Sequence, residues 1–160
     1  MYNYVYPCPC GYLGHPAKQC SCSFHTISLY RKRLSGPILD RIDIHVNVPP
    51  VKQEKLTSFE KAESSKTIRD RVCSAREKQI KRFGKTYTNA EMTSHQVRTI
   101  CKMSTSADAL LKTAITRLSL SARSYFKIIK ISQTISDLEN SEIIEGKHLA
   151  EALQYRPKEE

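Results

Sequence analysis

The chain has 160 residues, 39% apolar and 26% charged, enough for one ordinary domain or for two small pieces of a larger assembly. No apolar run approaches the roughly 20 residues of a membrane helix, and no charged start leads into a long apolar stretch of the secretory kind. A cytoplasmic chain with no membrane partner is expected, and an extracellular disulfide scaffold is a poor reading of its six cysteines.

The net charge is +10, and it is unevenly placed. Residues 1–102 hold 18 Lys+Arg against 8 Asp+Glu, whereas residues 103–160 hold 8 of each. Residues 1–34 contain no acid at all. A basic balance admits polyanion partners and leaves the fold open.

Residues 2–6 are aromatic and β-branched and predict a short strand. Residues 7–23 hold three prolines, two glycines and four cysteines and cannot be regular. A basic helix is expected over 24–34, with Ile27, Tyr30 and Leu34 on one face, broken at Ser35-Gly36-Pro37. Over 42–48, Ile42, Ile44, Val46 and Val48 alternate with Asp43, His45 and Asn47, the pattern of a half-buried strand. Pro49-Pro50 ends it and marks a candidate domain boundary.

A long basic helix follows over 64–83, with Gly84 as its stop. Thr93 or Ser94 caps a short helix over 93–101. An amphipathic helix over 107–118 has Ser106 as its expected cap, with Ala107, Leu110, Leu111, Ala114, Ile115 and Leu118 inward. The next, over 122–138, starts at Ser121 and turns Tyr125, Ile128, Ile131, Ile135 and Leu138 inward. The last spans about 146–154 and uses Leu149, Ala152 and Leu153. The expected fold is mixed α/β and mostly helical.

Cys8-Pro9-Cys10 and Cys20-Ser21-Cys22 form C-x-C-x9-C-x-C. Four thiolates in so short a span can close a tetrahedral zinc site, and four sulfur ligands leave no open position, which makes such a site structural. Gly11 and Gly14 allow tight turns around the metal, and His15 or His25 could replace a thiolate. Two disulfides, four free thiols or an iron–sulfur cluster remain open at this point. Cys73 and Cys101, on predicted helices, are packed or partly exposed thiols rather than ligands.

The five glycines (11, 14, 36, 84 and 146) cannot form G-x-x-x-x-G-K-[ST], so these residues carry no phosphate loop. No apolar strand ends in paired acids suited to magnesium. Two arginines draw attention instead. Arg41 sits in Ser35–Asp43, at the mouth of the expected strand, where an ion pair with Asp40 or Asp43 is the simpler reading. Arg123 falls in the first turn of a helix, where it opposes the helix dipole unless an anion is near.

Four segments carry a resemblance: Tyr6-Pro-Cys-Pro-Cys-Gly-Tyr-Leu-Gly-His15, Ser35-Gly-Pro-Ile-Leu-Asp-Arg-Ile-Asp-Ile-His-Val46, Leu120-Ser-Ala-Arg123 and Ala150-Glu-Ala-Leu-Gln-Tyr-Arg156. In this order they resemble the C-terminal third of magnesium-chelatase-like AAA+ ATPases of the ComM/YifB type. The resemblance implies an architecture. Residues 1–50 would be the terminal strands of an AAA+ core with a zinc-binding insertion at 7–23. Residues 51–92 would be a linker and long basic helix, and 93–160 a helical lid. A protease-like domain and the nucleotide-binding half of the core would lie upstream.

It also implies roles. Arg41 matches the arginine finger acting in trans on a neighbour's γ-phosphate, and Arg123 matches the sensor-2 arginine. Cys8, Cys10, Cys20 and Cys22 match the metal ligands. The implied parent is a hexameric, ATP- and magnesium-dependent motor acting on DNA, a branch-migration helicase of natural transformation and competence. Porphyrin chelation is not expected, because genuine chelatase subunits lack the cysteine cluster. The sequence departs from the pattern at Tyr6, where asparagine is usual, and at Lys130 and Gln133, where arginines are common. The competing expectation is a stand-alone zinc-containing nucleic-acid-binding or assembly module, motivated by 11 Lys+Arg against 4 Asp+Glu in residues 61–102.

Overall fold

The computed structural model describes residues 5–33, 36–51 and 62–157. They fall into two compact units, Met1–Glu60 and Lys61–Glu160.

In the first unit the cysteine loop leads into α1 (Phe24–Lys32), whose N-cap Ser23 accepts the Thr26 N–H at 3.2 Å. Arg31 and Lys32 occupy the last turn of α1, where cations suit the helix dipole. Arg31 Nε also donates to the Pro7 carbonyl (3.5 Å), tying α1 back to the cysteine loop. A four-residue helix, α2 (Gly36–Leu39), follows with Pro37 near its start, a position that needs no N–H. The sequence reading treats that stretch only as an interruption. Leu34, expected on the apolar face of the first helix, lies outside the described residues.

The expected strand over 42–48 is not formed, and these residues carry no regular structure. A strand is stable only when a neighbour satisfies its N–H and C=O groups. Among the described residues the one ladder pair is an isolated parallel bridge, Met103 to Ile144. Ile44, Val46 and Val48 are accordingly exposed. Val5 and Tyr6 are irregular as well, and the rest of the expected 2–6 strand lies outside the described residues. The fold is therefore mostly helical, and the β component of the expectation is corrected among the described residues.

The second unit is a helical bundle: α3 (Ser65–Phe83), a 3-10 turn (Asn89–Glu91), α4 (Ser94–Ile100), α5 (Thr105–Arg117), α6 (Ala122–Leu138) and α7 (Gly146–Gln154). Side-chain oxygens mark the starts. Ser64, Thr93, Ser104 and Ser121 each accept an N–H three residues on, at 3.1–3.2 Å. The cap of α5 is thus Ser104, not Ser106, whose hydroxyl bonds that of Ser104 at 3.0 Å. Gly84 closes α3 at φ 68, a left-handed conformation that glycine adopts without a Cβ penalty.

α6 is the central helix, packed by α3, the 3-10 turn, α4 and α7, while α5 packs on α7. Its apolar stripe, Ile128, Ile129 and Ile135, joins Val97, Leu111, Ile144 and Leu149 in the core. Ser132, Gln133, Ser136 and Asp137 of α6 are buried too. A helix covered on more than one side buries more than its apolar stripe.

The polar face of α6 meets α3 through an ion pair. Arg82 donates to both Asp137 carboxylate oxygens, at 2.8 and 2.5 Å, and to Asn89 Oδ1 at 2.8 Å. Asn89 Nδ2 donates in turn to Asp137 Oδ2 (2.7 Å) and Thr134 Oγ1 (3.1 Å), and Gln133 Nε2 donates to Asp137 Oδ1 (3.3 Å). Asp137 is buried, so this bidentate, fully satisfied arrangement offsets its desolvation. The Asp137 hydrogen bonds hold the Arg82 guanidinium above its usual value, against the effect of partial burial.

Removing one partner of a buried, hydrogen-bonded pair costs about 3–5 kcal/mol. Asp137→Ala is expected to lower the unfolding free energy of the bundle, read from urea titration, by that much, with helix content retained below the transition. A loss under about 1 kcal/mol would contradict the role given to this pair.

Candidate metal centre

Cys8, Cys10, Cys20 and Cys22 come together in the first unit, with all four Sγ atoms within 4.8 Å of one another. Two tight turns bring this about. Gly11 and Gly14 have φ of 78 and 77, and the Gly11 and His15 N–H groups bond the Cys8 and Tyr12 carbonyls at 3.0 Å. Such φ values favour glycine, and a Cβ on Gly11 would also press on the Tyr6 ring at 3.3 Å. Cys8 is the one buried residue among those described in this unit.

The sulfur separations test what the cluster can hold. Cys8–Cys10, Cys8–Cys20 and Cys10–Cys20 are 3.4, 3.7 and 3.5 Å apart. A disulfide requires about 2.05 Å, and all four cysteines are free. Four thiolates at about 2.3 Å from one tetrahedral zinc would stand about 3.8 Å from each other. The donor set and its spacing therefore fit a single metal ion with four sulfur ligands.

The backbone supports the same arrangement. N–H groups of Tyr12 and Ser21 hydrogen-bond Cys10, that of Cys22 bonds Cys20, and that of Cys10 bonds Cys22. Such outer bonds fix ligand orientation and spread thiolate charge. The Tyr12 N–H, followed by that of Ser21, lowers the Cys10 thiol to about 6. Cys20 behaves oppositely. The Cys22 N–H lowers it, but partial desolvation and the Cys10 and Cys8 sulfurs prevail and push it up to about 12. Cys22 is also raised, with the Cys10 N–H outweighed by desolvation and the Cys10 sulfur. One thiolate thus opposes ionisation of its neighbours, and a cation would relieve that opposition.

The histidines take no part. His15 Nδ1 accepts the Ala17 and Lys18 N–H groups, both at 3.1 Å, and His25 lies within α1. Neither belongs to the cluster. Cys73 is exposed and Cys101 buried, the latter's thiol raised to about 11 by desolvation.

The two arginines lie in different units. Arg41 is exposed in the turn after α2, its N–H bonded to the Ile38 carbonyl at 3.1 Å. His45 Nε2–H donates to the Leu39 carbonyl (3.1 Å) and pins the segment that carries Arg41. Arg123 is exposed in the first turn of α6, two residues past its N-cap Ser121. Lys130 reaches the Ala90 carbonyl at 2.9 Å, and Gln133 is buried against Asp137. The Arg82–Asp137–Asn89 network escapes sequence reasoning, which reads α3 only as a long basic helix. An aspartate beside the apolar stripe of α6 is the one sequence signal for it.

Comparison with known proteins places this arrangement. Residues 62–156, more than half of the chain, match the family described as "Magnesium chelatase, subunit ChlI C-terminal", and residues 3–56 match "Magnesium chelatase, subunit ChlI". The chain belongs to the magnesium chelatase ChlI family. Among its relatives is the "Competence protein ComM" of Haemophilus influenzae, 40% identical over 131 residues, covering 81% of this chain and 25% of that protein. The YifB protein of Escherichia coli is 38% identical over 128 residues, covering 79% of this chain and 25% of that protein. A Mycobacterium tuberculosis protein is 31% identical over 154 residues, covering 94% of this chain and 30% of that protein. The chain thus spans about a quarter of the length of its ComM and YifB relatives. No described helix is long and apolar enough to cross a membrane.

Titrating the metal-free chain with zinc should saturate at one ion per chain, and Cys20→Ser should abolish stoichiometric retention. Near pH 7, Cys10 is mostly ionised and Cys20 is not, so zinc uptake must expel protons. Affinity is expected to rise with pH, and to fall more steeply below about 6, where Cys10 of the metal-free cluster also takes up a proton. Uptake without proton release would contradict this thiol pairing.

Proposed function

We propose that the chain is the C-terminal portion of a DNA-acting AAA+ ATPase of the ComM/YifB type. It supplies an arginine finger and a helical lid to nucleotide sites completed by other segments. Membership of the magnesium chelatase family, with ComM and YifB as relatives, carries this reading. The positions of the two arginines support it. Arg41 is exposed on a pinned turn, as a residue acting on a neighbouring subunit must be. Arg123 stands at a helix start, where an ATP phosphate would offset its opposition to the dipole.

Arg41 acts in trans on the γ-phosphate of the neighbouring subunit in a hexamer, neutralising charge as the phosphoryl group leaves. Arg123 contacts the phosphates from the lid and couples lid position to nucleotide state. Magnesium and ATP bind where the phosphate loop lies, outside these 160 residues. The cysteine cluster holds a structural zinc through Cys8, Cys10, Cys20 and Cys22, which would order the loop and have no direct part in hydrolysis. The work done on DNA is branch migration during natural transformation.

By itself the chain should show no magnesium-dependent ATPase activity above background, and appreciable turnover would contradict the proposal. In a protein joining these residues to a phosphate loop, Arg41→Ala is expected to lower kcat by about 10³-fold or more while ATP binding persists. An unchanged kcat would remove Arg41 from the reaction.

A further inference from the structure

Residues 1–39 contain Lys18, Arg31, Lys32 and Arg33 and no Asp or Glu. The same span exposes aromatic rings that a small soluble unit would ordinarily cover. Phe24 is 88% exposed and Tyr12 38%. Each ring is accompanied by cations. Lys18 Nζ stands 4.9 Å over the centroid of the Tyr12 ring, with the His15 ring edge-on to it at 5.8 Å. Phe24 borders an open groove of about 330 Å³ along one face of α1, lined also by Ile27, Ser28, Arg31 and Lys32.

Rings paired with cations on an acid-free stretch of chain are the elements of a single-strand nucleic-acid platform. Unstacked bases lie on aromatic faces, and Lys and Arg neutralise the phosphates between them. A duplex suits such a surface poorly, because its bases already cover one another's faces. An acidic protein partner would use the cations but has no need of exposed ring faces. We propose that the cysteine-cluster unit is a contact surface for single-stranded nucleic acid. Tyr12 and Phe24 act as stacking platforms, and Lys18, Arg31, Lys32 and Arg33 are phosphate partners. The sulfur cluster fixes the loop that carries Tyr12 and Lys18, and the Arg31–Pro7 bond joins α1 to it. The proposal rests on the DNA-acting reading only in its choice of DNA as probe.

The test is fluorescence anisotropy of a labelled dT20 oligonucleotide with the zinc-loaded 160-residue chain. Four phosphate contacts at about 0.7 log units each predict affinity falling roughly fifty-fold between about 50 and 200 mM salt. Phe24→Ala and Tyr12→Ala should each weaken binding about fivefold or more, and Phe24→Trp should restore it. Combined Lys32→Ala and Arg33→Ala should flatten the salt dependence. Zinc content is measured on every variant. If Tyr12→Ala loses the metal, Phe24→Ala and the Lys32/Arg33 pair decide the matter, since Phe24 is too exposed to support the fold. Unchanged affinity in the aromatic variants would overturn this surface and leave the motor reading standing. Equal affinity for a duplex would overturn the single-strand assignment. No binding to dT20 at about 50 mM salt would overturn both.

Discussion

Four sulfur atoms within 4.8 Å of one another impose the first constraint on this molecule. Ionising one makes ionising the next harder, as the opposed behaviour of Cys10 and Cys20 expresses. A divalent cation would resolve the conflict and order the loop that carries the four cysteines. Only Cys8 is buried in the first unit among the described residues, and most aliphatic side chains from Leu29 to Val51 are exposed. Hydrophobic burial within these residues supplies little, and a metal held by the four thiolates would supply order that burial does not.

The second unit depends on different physics. Its core of Val97, Leu111, Ile128, Ile144 and Leu149 is apolar and closed. α3 meets α6 through the Arg82–Asp137 ion pair, whose carboxylate is fully buried and hydrogen-bonded. At the far end of α6, His148 Nδ1 accepts the Glu145 N–H at 3.0 Å, and its Nε2–H donates to Glu139 at 3.1 Å. Lys147 first, then His148, hold the Glu139 carboxyl below its usual range. Both ends of the α6–α7 connection are therefore fixed by side chains, and α6, which presents Arg123, is held along its length.

The longer helices were legible in the sequence because most start at a serine or threonine and carry apolar residues at 3.6-residue spacing. Thr93 and Ser121 cap where the pattern places them, and Gly84 closes α3 as expected. The cysteine spacing likewise announced its cluster. The 42–48 alternation misled for a physical reason: it reports which faces a segment could bury, while a strand also needs a pairing partner. Asp137 was illegible for the converse reason. Amphipathicity assumes one buried face, and α6 has neighbours on several sides. The side of α6 that reads as solvated is the one that receives Arg82.

The first unit exposes Arg41 and aromatic rings around a cysteine cluster suited to a metal, and the helical bundle presents Arg123. The central claim is that metal coordination holds the first unit while the second stands without it. Residue-resolved hydrogen exchange of the zinc-loaded and chelator-treated chain tests this most directly. Protection around residues 8–25 should vanish on zinc removal, while amides of Val97, Ile128 and Leu149 keep theirs. Equal protection of residues 8–25 with and without zinc would contradict the account.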